Sequence, residues 1–292
     1  MQISNALMGS LGHVGRSLPA IRGKGHIATA LTSLLLKAGA FPIVECEMAA
    51  GHRLRLDCRV PSHCWAFFSG KYDEATRSAL LSFLLPGGTA LDVGANIGFY
   101  TVPMAAFAAK IGASVVAFEP VATNMRRLRY NLALNGCANV TVYEIALGDQ
   151  CGEVEIVLAE DFLAGGTVGN ATIADPGVYG PQFSRTTVRL ETLDNLWMQG
   201  RIDVIKLDIE GHEAKFLAGG ANTIAVHRPV ILLEVNRWHY EKQRVDFDAA
   251  IPALLPDKYI FAELRAGRIV QINSLAQCSE ADVLLIPEER MR

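Results

Sequence analysis

The chain reads as an α/β protein built on a Rossmann-like, mostly parallel sheet with an antiparallel edge. Three observations carry this. From residue 90 onward short apolar runs alternate with helix-length segments, the pattern of parallel strands joined by crossover helices. The run Leu91-Asp92-Val93-Gly94-Ala95-Asn96-Ile97-Gly98 takes one strand into a glycine-bearing turn that opens a helix. A second apolar run, Val115 to Phe118, ends in Glu119, a carboxylate that no apolar core can satisfy.

The elements follow in order. Residues 1–44 carry Arg16, Arg22, Lys24 and Lys37 and no acid; Ile27, Leu31, Leu34 and Leu35 stand at helical spacing and predict a helix packed on the domain. Pro42 to Cys58 reads as two strands around the turn Ala49-Ala50-Gly51-His52. A helix opens at Tyr72-Asp73-Glu74 and stops at Pro86-Gly87-Gly88. Strands are expected near 90–93, 115–118, 140–145, 203–208 and 229–235, and helices near 98–110, 121–135, 213–225 and 247–255. Tyr259–Glu263, Arg268–Ile272 and Val283–Ile286 supply the antiparallel edge. The glycine-rich stretch 160–187 is too long for a plain connection and reads as a lid-like loop. The division expected is an N-terminal extension over 1–70 (a helix and a hairpin) and a main domain over 71–292.

Composition narrows the function classes. Half of the 292 residues are hydrophobic, enough for a full core. The net charge of −3 disfavours a nucleic-acid backbone as partner and points to a small or neutral acceptor. Six scattered cysteines without a C-x-x-C pair read as reduced, buried thiols rather than a zinc site. No apolar run reaches the ~20 residues that span a bilayer, and the N-terminus lacks the ordered regions of a signal peptide. The expected location is cytoplasmic; oligomeric state is left open.

The glycine turn and Glu119 form one ligand site. Gly94 and Gly98 leave no Cβ where the chain turns sharply and a ligand nears the backbone. Glu119 lies 21 residues beyond Gly98, where doubly wound folds place an acid on the ribose hydroxyls. Gly-Ala-Asn-Ile-Gly fits the three-glycine dinucleotide fingerprint poorly. Asp92 would repel a phosphate and favours a ligand with a cationic head, such as S-adenosylmethionine.

A second constellation lies in Val204-Ile205-Lys206-Leu207-Asp208-Ile209-Glu210-Gly211-His212-Glu213, an apolar strand that turns acidic at its carboxyl end, where open α/β sheets bind ligands. Asp208 and Glu210 share a face while the strand lasts. Either could take a hydroxyl proton or orient the acceptor, and His212 is a candidate base. Glu213 suits the first turn of a helix without any catalytic role. Leu232-Leu233-Glu234-Val235-Asn236 ends another strand in the same way. Asp208, Glu210 and Glu213 could ligate Mg²⁺, but nothing fixes their geometry and no metal is assigned.

The sequence resembles the FkbM-type S-adenosylmethionine-dependent methyltransferases. The matching segments are Leu91 to Thr101, Phe118-Glu119-Pro120, Asn131-Leu132-Ala133-Leu134-Asn135, Ala146-Leu147-Gly148-Asp149, Thr192-Leu193-Asp194, Ile205 to Glu213 and Leu233-Glu234, over roughly residues 70–235. The resemblance implies a seven-stranded methyltransferase sheet and methylation of a hydroxyl on a carbohydrate or natural product. It implies that Asp92, Gly94, Asn96 and Gly98 surround the methionine end of the cofactor, Glu119 the ribose, and Ala146 with Asp149 the adenine edge, with Asp208 to Glu213 facing the acceptor. Position 212 varies in the motif, so the resemblance does not make His212 an obligatory base. The competing classes are an NAD-dependent oxidoreductase, disfavoured by the missing third glycine, and a cofactor-binding module without catalysis. Nucleobase methylation is disfavoured, since the Asn-Pro-Pro-aromatic and Pro-Cys runs are absent.

Overall fold

A computed structural model describes residue 12 and residues 43–158, 171–173, 183–197, 200–279 and 281–291. The helix expected within 1–44 and most of the stretch 160–187 lie outside them.

The apolar runs become buried strands. β1 (Ile43–Glu47) and β2 (Arg53–Asp57) form an antiparallel hairpin, followed by helices α1 (Pro61–Ser69) and α2 (Glu74–Leu81). Then come β3 (Thr89–Val93), α3 (Thr101–Lys110), β4 (Ser114–Phe118), α4 (Ala122–Leu134) and β5 (Val140–Tyr143). A second group holds β6 (Ala146–Leu147), β7 (Gly152–Leu158), β8 (Ala171–Ile173), β9 (Ser184–Glu191) and α5 (Leu193–Leu196). The chain returns through β10 (Ile202–Leu207), α6 (Glu213–Gly219), α7 (Ala221–His227), β11 (Val230–Glu234), α8 (Arg237–Gln243) and α9 (Phe247–Ala253). It closes with β12 (Tyr259–Arg265), β13 (Arg268–Ile272) and β14 (Asp282–Pro287).

The central sheet has the order β13-β12-β14-β11-β10-β3-β4-β5. β5, β4, β3, β10 and β11 run parallel; β14, β12 and β13 are antiparallel to their neighbours. Helices cover both faces, so β3 and β10 are buried at every residue and are mostly apolar apart from Asp92, Asp203 and Lys206. On one face Leu91, Ile205 and Ile231 pack with Phe216, Leu217 and Tyr240; on the other Ala90, Val204 and Val230 pack with Leu80 and Met104.

The sheet has eight strands, the five parallel runs and three edge segments read from the sequence, where the family resemblance implies seven. β13, at the edge, folds onto β12 by a two-residue turn. Ala266 and Gly267 both take positive φ, the primed-turn geometry that matches the twist of a hairpin.

Two further differences have local causes. The helix expected over 213–225 is two helices, because Gly219 and Gly220 interrupt it; a Cβ on Gly219 would lie 1.8 Å from the Gly148 carbonyl oxygen. The lid-like stretch 160–187 is, where described, strand: β8 and the start of β9 pair with β7 in a four-stranded sheet of order β6-β9-β7-β8. β7 and β9 alternate exposed with less exposed positions over much of their length, a period-2 pattern broken in the sequence by the long glycine-rich insertion.

The hairpin is tied to the glycine turn after β3 through α4. Asn131 Oδ1 accepts from the Arg55 N–H at 2.8 Å while its Nδ2 donates to the Ile97 carbonyl at 2.8 Å. One helical turn on, Asn135 accepts from the Arg53 N–H and donates to the Arg53 carbonyl. Two asparagines at i and i+4 thus stand in for a neighbouring strand along β2. Asp57, buried, adds ion pairs to Arg59 at 2.7 Å and Arg127 at 3.2 Å, the latter again from α4.

Candidate active site

Four parallel strands end on one cavity of about 340 Å³, within the roughly 300–1,000 Å³ range of small-molecule sites. β3 brings Asp92 and the turn behind it, β4 brings Glu119, β10 brings Lys206 and Asp208, and β11 brings Glu234. This is the carboxyl edge of the sheet, where the strand order reverses on either side of β3.

The side of the cavity between Gly94 and Glu119, the expected donor side, is made by backbone. Gly94 has φ +80°, and a Cβ there would stand 1.8 Å from the Asp208 carbonyl oxygen, so the turn closes directly onto the end of β10. Asn96, at φ +50°, aims its N–H at Glu119 Oε2 at 2.8 Å. Glu119 Oε1 accepts from the Val121 N–H at 2.9 Å and from Asn124 Nδ2 at 3.4 Å. Burial pushes the Glu119 carboxyl up to about 7, with these donors pulling the other way. A carboxylate offers about four lone-pair sites, so a hydroxyl of a sugar can still join. Beside it Phe118, Ile145, Leu147 and Ile156 make an apolar wall suited to a flat base.

Asp92 is fully buried. Its Oδ2 accepts from Thr101 Oγ1 at 2.5 Å; its Oδ1 lies 3.9 Å from Lys206 Nζ and accepts no hydrogen bond among the described residues. Burial raises the Asp92 pKa, opposed by Lys206 and Thr101.

The side between Lys206 and Glu234, the expected acceptor side, is made by side chains. Lys206 Nζ donates to Asp208 Oδ2 at 3.0 Å and to the Gly94 carbonyl at 3.1 Å, and lies 5.6 Å from the centroid of the Tyr100 ring. Burial works against its charge, but Asp208 and Asp92 outweigh that and hold its pKa above the usual lysine value. Asp208, Glu210 and Glu234 place carboxylate oxygens within 4.8 Å of one another, a spacing a cation could bridge. Burial, then Asp208 and Glu210, push Glu234 up to about 10. Its Oε2 is buried and accepts no hydrogen bond among the described residues. Glu210 Oε2 is held by His239 Nε2 at 3.1 Å and Asn236 Nδ2 at 3.3 Å. Thr172 Oγ1, from β8, donates to the Glu210 carbonyl at 2.7 Å.

The Methyltransferase FkbM domain matches residues 92–265, more than half of the chain, including Asp92, Glu119, Lys206, Asp208 and Glu234 of this site. The chain belongs to the FkbM methyltransferase family. No curated protein matches the sequence. Among solved structures, the FkbM methyltransferase of Methylobacillus flagellatus KT is 15% identical over 90% of this chain and 59% of its own, with a TM-score of 0.43. This FkbM chain therefore spans about three fifths of that protein's length. A Streptococcus mutans protein described as a methyltransferase and crystallised with SAH is 12% identical over 73% of this chain and 96% of its own, with a TM-score of 0.40. A Pyrococcus horikoshii protein described as a transferase is 13% identical over 97% of this chain and 100% of its own, with a TM-score of 0.39. The assignment rests on the domain match, not on these distant likenesses.

Of the residues anticipated from sequence, Asp92, Gly94, Asn96, Glu119, Ala146, Asp208, Glu210 and His212 all line the cavity of this FkbM protein. Gly98 does not. At φ +97° it lets the turn settle on α4, where a Cβ would come within 2.9 Å of Leu128 Cδ1. Asp149 is also displaced from the site: it is exposed, because the chain turns from β6 towards β7 and the lining ends at Leu147. His212 is buried, 1% exposed, at the cavity wall. Glu213 is a brace beneath the site. Its Oε1 accepts from the Ile209 and Gly211 N–H groups at 3.1 and 3.2 Å, and its Oε2 from Tyr240 Oη at 2.8 Å.

Sequence reasoning assigned no role to Lys206. Its signal was present, since a lysine inside an apolar strand must find a counter-charge and Asp208 stands two residues on. Asn236, His239 and Thr172 come from segments that carried no such mark. Among the described residues no helix is long and apolar enough to cross a membrane.

Proposed function

We propose that this FkbM protein is an S-adenosylmethionine-dependent O-methyltransferase acting on a hydroxyl of a carbohydrate or glycosylated natural product. The observation that carries the reading is the convergence, in one cavity, of Glu119 held by two backbone N–H groups and the carboxylate group Asp208, Glu210 and Glu234.

The residues present fit such a donor. Glu119 suits ribose hydroxyls, the Phe118 to Ile156 wall suits adenine, and the buried, under-bonded Asp92 Oδ1 suits the donor's ammonium head. When bound, S-adenosylmethionine supplies an activated methyl group on a sulfonium, whose departure needs no protein nucleophile. The protein then aligns the acceptor and disposes of one proton. Asp208 is the general base: its carboxylate is a third exposed, is held at 3.0 Å by Lys206 Nζ, and takes the acceptor hydroxyl proton as the oxygen gains the methyl. Glu210, fixed by His239 and Asn236, orients the acceptor, and Glu234 in its neutral form offers it a hydrogen bond. We assign no obligatory proton transfer to His212, and we read residues 71–292 as the methyltransferase domain with 1–70 as its extension.

The test is transfer of a labelled methyl group from S-adenosylmethionine into a carbohydrate-enriched cell extract. Label in an O-methyl ether, lost in Asp208→Asn, is the expected result; label in amines or protein alone would overturn the O-methylation reading. A second class, NAD-dependent oxidation, would be favoured by NAD binding more tightly than S-adenosylmethionine.

A further inference from the structure

Lys206 belongs to neither half of the pocket alone. Its ammonium touches the Gly94 carbonyl of the donor turn and Asp208 of the acceptor rim, and faces Asp92 at 3.9 Å. Its side chain is only 9% exposed, so this charge is fixed in place rather than waving in solvent. Seven carboxylic acids line the cavity, and Lys206 is the sole lysine or arginine among the described lining residues. The pocket is therefore an acidic chamber with one internal counter-charge.

Such a chamber discriminates by charge. The methyl donor carries a positive sulfonium that its demethylated product, S-adenosylhomocysteine, lacks; the two molecules are otherwise alike. A cavity lined by acids would hold the donor more tightly than the product, and a fixed ammonium among them would weaken that preference. A pocket with too strong a preference would stabilise the charged ground state against a transition state in which that charge disperses.

We propose that Lys206 is a positioning residue that sets this balance: it ties the donor turn to Asp208 and its charge limits the pocket's preference for the positively charged donor over the neutral product. The proposal rests on the methyl-donor reading above. It concerns equilibrium binding, so it needs no acceptor.

Calorimetric dissociation constants for S-adenosylmethionine and S-adenosylhomocysteine, measured at one pH and salt, give the ratio that reads the charge. In Lys206→Met the ratio should shift at least fivefold in favour of S-adenosylmethionine. Lys206→Arg should restore it to within twofold of wild type. Asp208→Asn, which removes a negative charge and keeps the lysine, should shift it the opposite way by threefold or more, and serves if Lys206→Met does not fold. A purely structural role would weaken both ligands equally, so an unchanged ratio in Lys206→Met, or in Asp208→Asn if that variant alone is soluble, overturns the proposal. Failure of the wild-type protein to bind either ligand would instead refute the methyl-donor reading, and the proposal with it.

Discussion

The two halves of the cavity solve the problem of a buried carboxylate differently. On the donor side Glu119 is pinned by the N–H groups of Asn96 and Val121, donors that belong to the backbone and cannot be repacked. On the acceptor side Asp208, Glu210 and Glu234 crowd one another, offset by the single ammonium of Lys206 and by side chains from α8. The first arrangement holds one ligand in one pose. The second stores like-charge repulsion that a proton, a hydroxyl or a cation can relieve, which suits a site that must accept a proton and vary its acceptor.

The largest effect that would break this comparison is on turnover. Asp208→Asn should cut methyl incorporation by about 10²–10⁴-fold, the usual worth of a general base, while cofactor affinity changes only a few-fold; single-turnover rates with labelled donor read this. Equal rates would leave the acceptor side without its base.

Next in size is Gly94→Ala, placed where the halves meet. The added Cβ would collide with the Asp208 carbonyl, and φ +80° disfavours any side chain. A loss of at least about 2 kcal/mol is expected in denaturant titration, together with weaker cofactor binding. Wild-type stability would show that the turn can yield.

A third prediction uses pH and the donor side. The Glu119 carboxyl moves from 4.5 unfolded up to about 7 folded, so the fold prefers its neutral form. That contribution is complete below pH 4.5 and is lost as pH rises through 7, on the order of 3 kcal/mol in all. Thermal unfolding of the ligand-free protein should show this decline, and Glu119→Ala should flatten it. An equal slope in the variant would assign the titration elsewhere.

The smallest effect is the sharpest contrast. Glu234, pushed from 4.5 up to about 10, is neutral in both the folded and the unfolded chain below pH 4.5, so Glu234→Gln should leave stability there within about 0.5 kcal/mol of wild type. The neutral form's contribution fades as pH rises from 4.5 through 10, and the variant should become the more stable protein across that window, pH 7 included. Destabilisation beyond 1 kcal/mol at pH 7 would mean that Glu234 is ionised.

The same contrast explains what the sequence revealed. The donor side was legible because its geometry is backbone geometry, and Gly94, the strand before it and an acid at the end of the next strand leave marks at fixed spacing. Even there Gly98 and Asp149 lie outside the cavity lining, one packed against Leu128 and the other exposed. The parallel strands were legible as mostly apolar runs, with Asp92 in β3 and Asp203 and Lys206 in β10 as the charged interruptions. The β6-β9-β7-β8 sheet was not, because β7 and β9 meet across a long insertion and neither strand is apolar throughout. The acceptor side was half legible: Asp208, Glu210 and Glu234 close their strands visibly, whereas His239 and Asn236 reach Glu210 only through the tertiary fold. Asn131 and Asn135 stood out as a motif, but their task, bonding the edge of β2, needed the hairpin's position.

One titration bears most directly on the central claim that Glu119 anchors an adenosyl methyl donor. Calorimetry on the wild-type protein should show S-adenosylmethionine binding, weakened at least tenfold in Glu119→Ala, as expected when a charged hydrogen-bonded contact worth about 1.5–3 kcal/mol is removed. Equal affinity in the two proteins would contradict the account.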